Sequence, residues 1–140
     1  MILASGTGLA PALDALRLSL HVLGAAVWVG GQITMAGLVP TARRLSPDAP
    51  RAMARAFARL QWPAFVLVVA TGFWNVAAVG SGQSTAWQVV LGIKIFVVAL
   101  AGLAAWLHSV AKRRAWLAAW GAISSLASLA ALVMGVFLAG

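Results

Sequence analysis

Four side chains in this sequence have the chemistry of a buried site: His21, Asn75, Lys94 and Met134. A neutral imidazole and a thioether each bind borderline or soft metals. An ammonium cannot ligate; it sets the local charge or holds an anion or carboxylate. Lys94 is the most demanding of the four, because it stands inside the apolar run Ala86-Trp87-Gln88-Val89-Val90-Leu91-Gly92-Ile93-Lys94-Ile95-Phe96-Val97-Val98-Ala99-Leu100. A lone ammonium at the centre of a membrane helix costs roughly 3 kcal/mol on insertion scales, and such groups usually line a cavity. Trp28 and Trp74 lie deep enough in their own apolar stretches to line the same pocket.

The elements that must position these residues follow from composition. Of 140 residues, 63% are hydrophobic and 9% are charged, where a soluble domain carries about a quarter charged residues. The apolar residues form blocks of about 20, the length that crosses a hydrocarbon core of about 30 Å. Four blocks, at 16–39, 60–79, 87–109 and 117–139, use almost the whole chain and leave no room for a separate soluble domain. The expected fold is all-α, a single transmembrane antiparallel four-helix bundle with short connections. Asp14 is placed to cap the first helix, which is expected to stop before Pro40, and Asp48 to cap the next.

Charge distribution sets the expected orientation. The net charge is +8, but the basic residues cluster between blocks one and two (Arg43, Arg44, Arg51, Arg55, Arg59) and between blocks three and four (Lys112, Arg113, Arg114). That positive-inside pattern puts both loops in the cytoplasm and both termini outside, and it argues against nucleic acid as a partner. Arg17 is a single dissenting charge, offset by Asp14. Arg51, Arg55 and Arg59 recur at i, i+4 and i+8, which predicts a basic amphipathic helix over 50–59 lying at the cytoplasmic headgroups as a lipid anchor. Residues 1–8 carry no basic residue, so the first block reads as a retained helix rather than a cleaved signal.

With that topology, His21, Asn75, Lys94 and Met134 all fall about 6–11 Å below the outer boundary, one per helix. Each also has a plain structural use: a hydrogen bond to a neighbour for His21 and Asn75, snorkelling for Lys94, packing for Met134. His108 lies at the other end of helix three, about 20 Å from His21 in height, which excludes the two as axial ligands of one iron. Gln32, Thr34, Met35, Thr71, Ser124 and Ser125 form a weaker polar track toward the inner side. Gly121, Ser125, Ser128 and Gly135 make a small-residue stripe on helix four, suited to close helix approach and to a homo- or hetero-oligomer. There is no cysteine, which rules out thiolate sites, and Asp14 and Asp48 are the only acids. With no carboxylate pair, nucleophile–base pair or phosphate loop, hydrolytic chemistry is not expected.

Leu20-His21-Val22-Leu23-Gly24-Ala25-Ala26-Val27-Trp28-Val29-Gly30-Gly31 resembles the first helix of the membrane domain of the copper resistance protein D (CopD) family. Phe57-Ala58-Arg59-Leu60 followed by Thr71-Gly72-Phe73-Trp74-Asn75 resembles its next helix, and Leu91-Gly92-Ile93-Lys94-Ile95 its lysine-bearing third. The similarity covers roughly residues 16–114. It implies copper binding or passage at the bacterial cytoplasmic membrane, with a periplasmic copper-binding protein as partner, and it points to His21 and Lys94. A second resemblance is to the HemJ-type protoporphyrinogen oxidases, four-helix proteins with a histidine in helix one and a lysine in helix three. That resemblance implies haem b held by His21, with Lys94 engaging a propionate. The residues therefore lead to three expectations. The first is a copper site with His21 and Met134 as ligands and Lys94, Asn75, Trp28 and Trp74 around it. The others are a haem-binding oxidoreductase and a non-catalytic subunit of a larger membrane complex.

Overall fold

The computed structural model describes residues 10–140, and every regular element in them is helical. Four helices are long and apolar enough to cross a membrane: α1 (Ala12–Leu45), α2 (Ala49–Val79), α3 (Thr85–Val110) and α4 (Arg114–Ala139). The chain is thus an all-α, multi-pass membrane protein. Residues 1–9, which bear on whether the first helix is retained, lie outside the described residues.

Both helices of the first pair are longer than the hydropathy blocks. α1 runs through Pro40 to Leu45, and α2 holds Pro63 inside it. A proline removes one hydrogen bond, but stopping the helix near the hydrocarbon would leave several backbone groups unpaired. The expected surface helix over 50–59 is not a separate element. It is the first part of α2, whose 31 residues run unbroken from the turn at Ser46–Asp48. Alternating alanines at 52, 54, 56 and 58 favour that continuity. At 1.5 Å per residue, α2 is about 46 Å long, so its basic first turns extend past a hydrocarbon core of about 30 Å. Arg51, Arg55 and Arg59 are exposed on it, while Met53 and Phe57 are part-buried. The amphipathic pattern therefore decides which side of the helix is covered, and the helix continues through 59.

Local signals explain the ends. Asp48 occupies the position before α2 but its side chain makes no capping hydrogen bond; Pro50 stands in the first turn, and Gly80, at φ 75°, closes the helix in the left-handed region that glycine tolerates. Ser84 caps α3, its hydroxyl accepting from the Trp87 amide at 3.2 Å. Asp14 does not cap α1: Pro11 stands at that position and Asp14 lies in the first turn.

The described chain divides into two compact units. One comprises the residues up to Gly31 with Gly37–Gly80, the other Gln32–Ala36 with Ser81–Gly140. In the first, α1 and α2 form an antiparallel hairpin, with Gly24 against Ala64 and Val68 and Trp28 against Phe65 and Trp62. In the second, α3 and α4 pair likewise, with Ser124 donating to the Ala101 carbonyl at 3.0 Å and Trp87 Nε1 to Leu138 at 3.2 Å. Buried positions are mostly small, such as Ala64, Ala101, Ala104 and Ala127, while Val66, Phe73, Phe96 and Phe137 are exposed. Small residues inside and large apolar ones outside is the arrangement of helices solvated by lipid.

Candidate functional site

The polar residues of the first hairpin are stacked along one seam. On α1, Asp14, Arg17 and His21 follow at spacings of three and four residues and share a face; on α2, Thr71 and Asn75 do the same. Antiparallel pairing brings Arg17 opposite Asn75, and His21 opposite Thr71 one turn further in.

The outer tier is an ion pair with a carboxamide. Arg17 is 6% exposed, and its guanidinium donates from Nη2 to Asp14 Oδ1 at 2.8 Å and from Nη1 to Asn75 Oδ1 at 2.6 Å. A buried cation is tolerated only when paired and hydrogen-bonded, and both conditions are met here. Arg17 is therefore the buried charge of this hairpin rather than an incidental one, and Asn75 serves as its acceptor. The spacing Asp14–Arg17–His21 on one helical face was the available signal for this role.

The inner tier is His21. Its Nδ1 lies 2.8 Å from Thr71 Oγ1, and the same hydroxyl donates to the Leu67 carbonyl at 2.6 Å. A hydroxyl has one proton, and the carbonyl takes it, so Nδ1 carries a hydrogen and donates to Thr71. A histidine whose second nitrogen is held by a hydrogen bond in this way is oriented as metal-bound histidines are. Thr71 is 4% exposed.

Below His21 the hairpin becomes apolar. A Cβ at Gly24 would stand 2.7 Å from Val68 Cγ2 and 3.1 Å from the Ala64 carbonyl, so only glycine allows this approach. Trp28 is buried in a π-helical turn, Ala26–Gly30, with ring centroids 4.5 Å from Phe65 and 5.9 Å from Trp62. Such turns recur at functional positions in helices. Trp28 thus closes the floor of the seam, and Trp62, expected in an interfacial belt, joins it. Trp74 is 41% exposed on α2 and is not among the ring contacts of this cluster.

Lys94 and Met134 belong to the second unit. A Cβ at Gly135 would stand 3.0 Å from Lys94 Nζ, so the amine rests against the bare backbone of α4, next in sequence to the part-buried Met134. The serines of α4 contact Gln32, which accepts from Ser125 Oγ at 3.0 Å and donates to Ser128 Oγ at 3.4 Å. The expected polar track is therefore divided: Gln32, Ser124 and Ser125 lie in this unit, while Thr71 serves His21. His108 is exposed, and its Nδ1 donates to the Leu117 carbonyl at 2.7 Å across the α3–α4 turn.

Among the described residues, no three of His, Cys, Asp and Glu gather as a metal-binding group. The first hairpin can give a metal one imidazole bond, with a carboxylate–guanidinium pair one turn outward. No family model, no curated protein and no solved structure matches the chain.

Proposed function

We propose that this membrane protein binds and passes copper ions at the bacterial cytoplasmic membrane, with His21 as the transit ligand. The observation that carries the reading is the His21–Thr71 hydrogen bond, which fixes the orientation of the ring on α1. A transit site must bind strongly enough to admit an ion and weakly enough to release it, and a single neutral imidazole is such a ligand. Asp14 lies one tier outward as a carboxylate that an arriving cation meets first, held by Arg17. Met134 is a thioether of the kind that suits Cu(I) and is the second residue to test. The basic turns after α1 and α3 support a cytoplasmic position for those turns, with both termini outside.

Titration of the purified chain with Cu(I) against a chromophoric chelator tests this reading. His21→Ala is expected to remove one site; equal stoichiometry and affinity in the two proteins would end it.

A second reading takes His21 as the ligand of a haem b iron, since one imidazole of fixed orientation is also an axial ligand of that group. Bound haem would supply one-electron chemistry at its iron. Protein purified from haem-replete cells without a Soret band would exclude it.

A further inference from the structure

We propose that the groove at the α3–α4 turn is a binding site for an anionic phospholipid, a reading independent of the role of His21. The groove is shallow and open along one side, with a volume of about 440 Å³. Leu107 and Val110 at the end of α3 and Trp116 and Trp120 on the first turns of α4 form its walls, and Lys112 and Arg113 stand at the turn itself. The two indoles are stacked, with centroids 6.1 Å apart and planes 19° from parallel. Together they line one apolar side of the groove, although Trp116 is 54% exposed.

Charge identifies the other half of the ligand. The chain has 10 Lys and Arg against 2 acids. Among the described residues the one ion pair is Asp14 with Arg17, so neither acid is paired with Lys112 or Arg113. The two cations are left to take their counter-charge from outside the chain. A free phosphate would answer the two cations and leave the indole wall bare; a neutral acyl chain would do the reverse. A lipid with a net negative headgroup answers both, its phosphate at Lys112 and Arg113 and its chain along the indoles. The turn is also held in shape beforehand. His108 Nδ1 donates to the Leu117 carbonyl at 2.7 Å, and its ring lies where a Cβ at Gly121 would come within 3.0 Å. Preorganisation of this kind lowers the cost of ordering a site on binding.

The full chain in mixed micelles, titrated with phosphatidylglycerol or phosphatidylcholine brominated on the acyl chain, tests the proposal. The readout is the quenching lost in Trp116→Phe/Trp120→Phe, which isolates the groove from the other tryptophans. Brominated phosphatidylglycerol is expected to quench this component at a lower mole fraction than phosphatidylcholine. Lys112→Gln/Arg113→Gln should erase the difference, by about fivefold in affinity for each charge. Arg51→Gln/Arg55→Gln, which removes the same charge from α2, should preserve it. Equal quenching by the two lipids in the wild type, or a preference that survives Lys112→Gln/Arg113→Gln, would overturn the proposal. Excess inorganic phosphate that abolishes the preference would instead reassign the site to a free anion. All variants lie at exposed or groove positions, and unchanged helicity and elution would establish that they fold.

Discussion

Thr71 decides which nitrogen of His21 carries the proton: its Oγ1 stands 2.8 Å from Nδ1 and 2.6 Å from the Leu67 carbonyl. Because the hydroxyl proton goes to the carbonyl, the imidazole must supply the other one. A threonine that bonds back to its own helix thereby acts as an acceptor toward the neighbouring helix.

Thr71→Val keeps the shape of the side chain and removes that acceptor. If His21 is the copper ligand, affinity should fall about 10–100-fold, the usual effect of losing the group that orients a metal-bound histidine. Thr71→Ser should restore most of it. Cu(I) titration of the three proteins measures this, and equal affinity in Thr71→Val would show that the hydrogen bond has no role in binding.

Asn75→Leu takes one of two acceptors from the Arg17 guanidinium, at a position where Arg17 is 6% exposed. The expected cost is about 1–2 kcal/mol, near the upper end for polar contacts between membrane helices. Arg17→Met/Asn75→Leu should cost less than the sum of the single changes, because both remove the same interaction. Unfolding in detergent followed by circular dichroism gives the three values.

Close approach of α1 and α2 rests on Gly24. Gly24→Ala puts a methyl 2.7 Å from Val68 Cγ2 and 3.1 Å from the Ala64 carbonyl. Overpacking of this kind costs about 1–3 kcal/mol. Val68→Ala should rescue only part of the loss, since the backbone carbonyl cannot withdraw. At Gly31 the obstacle is the Phe57 ring alone, so Gly31→Ala should be rescued fully by Phe57→Ala. Thermal unfolding of the two pairs separates a backbone obstacle from a side-chain one.

Lys94 Nζ lies 3.0 Å from the place a Cβ at Gly135 would take. Gly135→Ala asks the flexible end of the lysine to move a few tenths of an ångström and should be tolerated. Gly135→Leu occupies the amine's place and should push it outward. In a Lys112→Arg background Lys94 is the single lysine. Its rate of acylation by an amine-reactive reagent, read by mass, should rise in Gly135→Leu and stay unchanged in Gly135→Ala.

What the residue order determined by itself is the number of spans and where the charges lie. A block of about 20 apolar residues crosses a bilayer whichever way each side chain points, so hydropathy is legible without any tertiary contact. The positions of His21 and Lys94 within such blocks were legible for the same reason. The ends of α1 and α2 were not, because Pro40 and Pro63 read as breaks while the cost of unpaired backbone near lipid carries the helices through them. The partners within the site belonged to the tertiary structure alone. That Arg17 meets Asn75, that His21 meets Thr71, and that Gln32 turns to the serines of α4 depend on the rotation of each helix about its axis and on the register of its neighbour. Neither quantity is set by hydrophobicity, since a helix in lipid is apolar nearly all round. Packing of a few small residues, Gly24 foremost, fixes both.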